Sequence, residues 1–323
     1  MVSFGLNRPR IGCVENYNFE SSYVVLGEPK DPVRGIHKGI LARHGFKHIL
    51  STGEYQPIED AVIKGEADLL ICDVDMPGGD FCDLVYRIRH GEIGKNPFLM
   101  IFATTARPSQ EMVARVVDSG VDDLIIKPVS LDTIFERIVN LTDDRKQFEV
   151  TSDYVGPDRR NKSRRNKQSL ALVDVPNTLK LKAEGKISSK ELQSMIDAAT
   201  NKINDQKLEQ HSVQVSWLVN QLLPLYEAGE IDDKLLKHLD NLLFISRDIG
   251  RRLALGDYDH VAEICHSLHD VAVSVREKYE KPNPKDLKLL EKLSQAVEGG
   301  FKLDRSKTGI ARDISQTISQ RHG

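Results

Sequence analysis

Cysteine is scarce in this chain. The four present, Cys13, Cys72, Cys82 and Cys265, form no Cys-x-x-Cys pair and have no histidine at metal-ligand spacing. That argues against a disulfide framework or a zinc site and fits a reducing compartment. Cys72 and Cys265 lie in apolar periodic runs and read as core thiols. Long apolar runs are also missing: none approaches the roughly 18 residues a membrane span needs. The N-terminus lacks a charged start followed by an apolar core, so no signal peptide is read, and a cytoplasmic chain is expected. Neither sign of charge dominates. A net charge of -3 and a pI near 6.4 exclude a globally basic nucleic-acid binder, though not a local basic arm. The length of 323 residues predicts two domains, each burying its own core.

The stretch around which the first half is organised is Leu69-Leu70-Ile71-Cys72-Asp73-Val74-Asp75-Met76-Pro77. Residues 68–72 are mostly apolar and short enough for a buried strand. The run stops at the Asp73 carboxylate, and Pro77-Gly78-Gly79 forces a loop. An isolated Asp there would read as a turn cap, but other segments point at the same place. Strands are predicted at 23–26, 48–50, 68–72, 98–103 and 124–126. Helices are predicted after each, starting at Asp31-Pro32, Pro57, Asp80, Ser109 and Ser130. Five alternations in about 120 residues argue for a doubly wound parallel sheet. Right-handed crossovers put every strand's C-terminal end on one edge. That edge collects Glu28, Asp73, Thr104/Thr105 and Lys127.

These residues carry a resemblance. Residues 22–142 resemble the receiver domain of two-component response regulators: an acid after the first strand (Glu28), Asp-x-x-Met-Pro after the third (Asp73 to Pro77), Thr-Ala after the fourth (Thr105-Ala106) and Lys-Pro after the fifth (Lys127-Pro128). The resemblance implies a five-stranded flavodoxin-like α/β fold. It implies transfer of a phosphoryl group from the phosphohistidine of a sensor histidine kinase or phosphotransfer protein onto Asp73. It further implies a Mg²⁺ ion held by Glu28, Asp73 and the backbone carbonyl of Asp75, with Lys127 paired to the phosphoryl oxygens and Thr105 as the switch hydroxyl. Counting back from Lys127 favours Thr105 over Thr104. Two departures stand out. Pro29 occupies the position of a second acid, so the ion site loses a charge and a ligand. Leu124 stands where many receivers carry an aromatic. Both leave open a pseudo-receiver that docks partners without chemistry.

Residues 143–186 lose periodicity and read as a linker. Tyr154 to Asp158 is a turn cluster, and Arg159 to Lys167 is a basic arm. A solvated linker is the plain reading of that arm, an anion-binding segment the other. Val173 to Lys182 is a stretch that docks on one domain or stays in the linker. From Ile187 to the end the period is helical, predicting an α-helical bundle (187–323) after an N-terminal extension (1–21), receiver (22–142) and linker. Ser188 and Glu191 make a capping box. Leu192, Ile196, Ala199 and Ile203 are expected inward; the face turns polar at Gln206 and Gln210, recovers at Val213, Trp217 and Leu218 and ends at Leu222-Leu223-Pro224, and Gly299-Gly300 stops the last well-marked helix. No basic recognition helix is evident, so no specific DNA binding is expected. A protein target is expected for the bundle, and self-association through 187–210 is one reading of that stretch, a bundle flank the other. No separate catalytic output is read beyond receiver phosphorylation and dephosphorylation. Cys265-His266-Ser267-Leu268-His269 faintly resembles the His-x-Leu-Lys-Gly motif of histidine phosphotransfer domains, with His269 and Asp270 replacing Lys and Gly. That implies a receiver–phosphotransfer hybrid using His266, against the plain reading of a surface histidine.

Overall fold

A computed structural model describes residues 17–159, 172–254 and 259–301. Cys13, Asp257, the basic arm beyond Arg159 and the Ile310/Ile314/Ile318 repeat lie outside the described residues. The chain divides into two compact units, Met1–Thr200 and Asn201–Gly323.

In the first unit, five parallel strands run in the order β2-β1-β3-β4-β5: β1 Tyr23–Gly27, β2 His48–Thr52, β3 Leu69–Asp73, β4 Met100–Thr105 and β5 Asp123–Ile126. The helices between and after them are α1 Asp31–Arg43, α2 Tyr55–Lys64, α3 Phe81–Arg89, α4 Gln110–Asp118 and α5 Leu131–Asp143. Every residue of β3 and β4 is buried, as continuous apolar strands covered on both faces must be. On one face Ile58, Val62, Leu84, Val85 and Val116 bring α2, α3 and α4 onto the sheet. On the other, Leu41, Ile134 and Ile138 bring α1 and α5. Asp80, Ser109 and Ser130 cap α3, α4 and α5 through side-chain oxygens that accept first-turn backbone N–H groups. Asp31 does not cap α1. It is the first helical residue, after an uncapped Lys30, and it pairs with Arg34; an acid in the first turn suits the helix dipole.

The stretch expected to be an irregular linker holds regular structure. β6 Phe148–Val150 pairs antiparallel with β7 Val155–Pro157 and β8 Leu172–Val173. The turn sits at Thr151–Tyr154, starting three residues before the predicted cluster, most of which is β7. Strands of two or three residues are too short to show a period. Phe148 of β6 packs against two guanidinium groups, Arg89 and Arg145, each 5.2 Å from its ring centroid. A Cβ on Gly156 would lie 2.8 Å from Gly120 Cα, so only glycine permits that approach. α6 Thr178–Ala183 then packs Leu179 and Ala183 into the same core as Phe19, Leu41 and Ile138, and Lys182 pairs with the buried Asp68 at 2.7 Å. The Val173–Lys182 stretch therefore docks on the receiver.

The C-terminal region is helical. α7 runs unbroken from Ser189 to Ala228 with Pro224 inside it. α8 is Asp233–Leu253, α9 Asp259–Glu277, and residues 284–301 form α10. The Ser188–Glu191 capping box is present. The polar stretch near Gln206 and Gln210 does not break α7, because Asn204, Lys207 and His211 occupy buried positions of its inward stripe. That stripe continues through Leu208, Val215, Leu218 and Leu222. Val213 and Trp217, expected inward, are 55% and 52% exposed. Gly299-Gly300 does not end α10; Gly300 lies where a Cβ would meet Val261 Cγ1 at 2.7 Å, which lets the two helices come close.

Candidate functional site

The strand order places β1 and β3 side by side, with the chain leaving β1 to one side and β3 to the other. Ligand crevices open at such a switch point, outside the carboxyl ends of the strands. Glu28 follows β1 directly and Asp73 ends β3. Glu28 is 1% exposed and Asp73 6%. Buried carboxylates need partners, and both find the same one. The Lys127 ammonium, just past β5, bonds to Glu28 Oε2 and to Asp73 Oδ2. Burial alone would lower the Lys127 pKa, but the bonds to Asp73 and Glu28 outweigh it and hold the ammonium above its usual range. A fixed cation therefore bridges the two acids, and the Lys127-Pro128 peptide that follows is cis.

Thr105 is the last residue of β4 and is buried. Its carbonyl accepts the Lys127 N–H at 2.7 Å, and its Oγ1 accepts the Arg107 N–H at 3.2 Å. Thr104 pairs in register with Asp73. The Asp75 N–H donates to Asp73 Oδ1 at 2.8 Å, which orients the carboxylate. The structure thus gathers Glu28, Asp73 and Lys127 in direct contact. Asp75 and Thr105 stand beside them, tied through the backbone. Lys30 N–H donates to Glu28 Oε1 at 3.0 Å, and Arg34 Nη1 donates to the Glu28 carbonyl at 2.6 Å. Pro29 brings no side-chain donor to this loop. Leu124 is buried.

Sequence reasoning missed Arg34 and Arg107. Neither belongs to a motif; Arg107 is recognisable only from its pairing with Asp75, 32 residues earlier.

A divalent cation of the Mg²⁺ type takes oxygen ligands, often only one or two carboxylates plus waters and phosphoryl oxygens. Glu28, Asp73 and a backbone carbonyl meet that need with a small donor set. Among the described residues no group of three or more His, Cys, Asp or Glu side chains could hold a metal ion. A hard cation here would therefore rest on two side-chain carboxylates, Glu28 and Asp73, one fewer acid than the family usually supplies, with waters completing its shell.

In the second unit, His266 on α9 is exposed. Its ring lies 3.9 Å from a Cβ built at Gly250 of α8. His269 is not free: its Nδ1 bonds with Ser246 Oγ at 2.8 Å.

The response regulator receiver domain family matches residues 24–139. Chemotaxis protein CheY-3 of Vibrio cholerae is 32% identical over 123 residues, which cover 36% of this chain and 92% of that protein. A cyclic di-GMP phosphodiesterase of Thermotoga maritima is 29% identical over 122 residues, but this chain spans only 31% of its length. The solved structure of a response regulator from Thermotoga maritima shares 22% identity over 38% of this chain and 99% of that one, with a TM-score of 0.34. Among the described residues no helix is long and apolar enough to cross a membrane. Through its N-terminal α/β unit, the chain belongs to the response regulator receiver family.

Proposed function

We propose that this chain is a cytoplasmic response regulator of a phosphorelay that accepts a phosphoryl group on Asp73 and signals through its helical region to a protein target. The observation that carries the reading is the bridge from Lys127 to Glu28 and Asp73 at the switch point. It presents a carboxylate beside a fixed positive charge, which loose phosphoryl transfer requires. In the transfer, an Asp73 oxygen forms a bond to phosphorus. The P–N bond of a donor phosphohistidine breaks, and its electron pair stays on the imidazole. Lys127 neutralises charge on the phosphoryl oxygens. Glu28, Asp73 and the backbone carbonyl of Asp75 would hold Mg²⁺, which supplies further charge neutralisation when bound. Thr105 donates its hydroxyl to the phosphoryl group. The donor is a sensor histidine kinase or a phosphotransfer protein. The test is incubation of the full chain with acetyl phosphate: one phosphate should add by intact mass and disappear in Asp73→Asn. Equal labelling of the variant refutes the assignment.

Pro29 favours a second reading, a receiver that docks partners without phosphate. It also yields a separate expectation. Pro29→Asp adds a charged oxygen ligand for a hard cation, so Mg²⁺ titration should show tighter binding than in the native chain. Unchanged affinity would mean that the cation is held by other groups or does not bind.

A further inference from the structure

Consecutive helices of the second unit run antiparallel. His211 of α7 bonds with Asp248 of α8, and Trp217 meets His238. Ser246 of α8 bonds with His269 of α9, and Arg276 with Asp240. Ser274 of α9 bonds with Asp286 of α10, and Gly300 faces Val261. The α7–α8 turn and the α9–α10 turn therefore share one end of this unit. They carry opposite charge. Residues 227–233 hold four acids, Glu227, Glu230, Asp232 and Asp233, and no base. All four are exposed, around an Ile231 that is 37% exposed. On α10, Lys285, Lys288 and Lys292 are exposed around Leu289, which is 44% exposed. At 3.6 residues per turn these four share an arc of about 100°, opposite the buried Leu290, Ser294 and Val297.

We infer that this face of α10 is a docking surface for a second copy of the chain, and that its occupant is the acidic α7–α8 turn of that copy. Charge complementarity argues for that occupant. Each surface sets one exposed apolar side chain among charges of one sign, and the two signs are opposite. A phosphate backbone would match the lysines but offer nothing to Leu289. Neither set is satisfied within one copy: among the described residues the side chains of Lys285, Lys288, Lys292, Glu227, Glu230 and Asp233 make no ion pair. The acids of α10 do not neutralise its face. Asp286 accepts from Ser274 Oγ at 2.8 Å, and Glu291 lies outside the arc. The turn is fixed before it docks. Gly229 takes a φ of 70°, and its N–H donates to the Tyr226 carbonyl at 3.2 Å. The Glu230 N–H donates to the Leu225 carbonyl at 2.9 Å, and Asp232 accepts the Leu235 N–H at 2.9 Å. A preformed turn loses little conformational freedom on binding.

Turn and face lie on the same chain, so a two-fold axis makes the contact twice, turn to face and face to turn. Exposed ion pairs hold weakly and are screened by salt. The dimer should therefore form in the micromolar range and come apart at about 1 M salt, where the screening length is about 3 Å. No residue of the Asp73 site takes part, so the inference stands apart from the reading of Asp73 as acceptor.

The test is sedimentation velocity of the full chain from about 1 to about 100 µM, at low salt and at about 1 M salt. The native chain should be dimeric at the upper concentrations in low salt and monomeric in high salt. Lys285→Glu with Lys288→Glu should weaken association about tenfold or more, because each reversal turns attraction into repulsion in both contacts. Glu227→Lys with Glu230→Lys should weaken it by a similar factor. Mixed in equal amounts, the two double variants should recover the dimer. The native turn of one then meets the native face of the other, and the reversed turn meets the reversed face. A misfolded variant is not rescued in this way. A native chain that stays monomeric in low salt overturns the inference, including one whose lysines hold a DNA duplex or anionic vesicles instead. So does a dimer that high salt or both reversals leave intact, or a mixture that stays monomeric.

Discussion

Asp122→Ala should destabilise the first unit by about 3–5 kcal/mol, the cost of leaving buried charge without its partner. Asp122 is the one carboxylate between two buried guanidinium groups. Its Oδ2 accepts from Arg89 Nη2 at 2.8 Å and from Arg145 Nη2 at 3.1 Å, and its Oδ1 accepts from Arg145 Nε at 3.0 Å. It also accepts the Ile101 N–H of β4 at 2.8 Å. The side chains of Arg89 and Arg145 are 0% and 4% exposed. Burial already pulls the Arg89 pKa down to about 10 despite this partner. Without Asp122 both cations face a low-dielectric interior, and one strand N–H loses its acceptor. Against a typical stability of about 5–15 kcal/mol, the loss brings the unit near its unfolding threshold. Hydrogen exchange at the amides of β3, whose residues are all buried and whose bonds the substitution leaves in place, reads the effect in the full chain. Asp122→Asn, which keeps acceptor oxygen but not charge, should fall between. A shift under about 0.5 kcal/mol, the range of an ordinary surface change, would show that the Arg89–Asp122–Arg145 cluster does not hold β6 and the sheet together.

Asp248→Ala should have a similar effect on the helical unit, again about 3–5 kcal/mol. Asp248 on α8 accepts from Arg252 Nε and bonds with His211 Nε2, both at 2.8 Å. Arg252 and His211 side chains are 1% and 0% exposed. The chain has one tryptophan, Trp217, and it lies on α7 against His238 at 5.6 Å between ring centroids. Its fluorescence therefore reports unfolding of this unit by urea. The pH dependence has a definite sign. Burial, against Asp248's opposing hydrogen bond, lowers the His211 pKa below 6.5. The unfolded chain then binds the proton more readily, so stability falls as pH drops below about 6.5. Asp248 itself is held well below 3.8: burial would raise it, but His211, Arg252 and Arg251, whose Nη2 lies 2.7 Å from Asp248 Oδ1, outweigh that. Its contribution is present above about 3.8 and is lost as pH falls further. The native unit should weaken in two stages on acidification, and His211→Gln should remove the first. An unchanged pH profile in His211→Gln would assign the first stage to other groups.

The strands β1, β3 and β4 are legible in sequence because they are buried on both faces, so each is a short continuous apolar run; β2 and β5, which are less buried, are legible from the alternation with helices around them. Glu28, Asp73 and Lys127 are legible because the sheet's geometry forces strand ends to one edge. The helix starts at Asp80, Ser109 and Ser130 are legible because a cap acts within three residues of its side chain. Asp31 shows the limit of that signal: the helix starts one residue earlier than a cap at Asp31 would require, and its carboxylate pairs with Arg34 instead.

What local pattern could not reveal was long-range charge. Arg89 meets Asp122 33 residues away, and His211 meets Asp248 37 residues away. Neither pair leaves a period. The misread register of α7 has the same origin, since Asn204, Lys207 and His211 occupy core positions where an apolar pattern shows a gap. By itself the sequence determined the order of the receiver's elements and which carboxylates and which lysine gather at one edge. Both follow from hydrophobic periodicity and the handedness of crossovers. Only the tertiary structure decided that Phe148, Leu179 and Ala183 pack into the receiver unit, which face of α7 is buried, and that Arg107 and Asp75 span the mouth of the site. These rest on pairings between distant side chains, and their free energy exists only once the chain has brought them together.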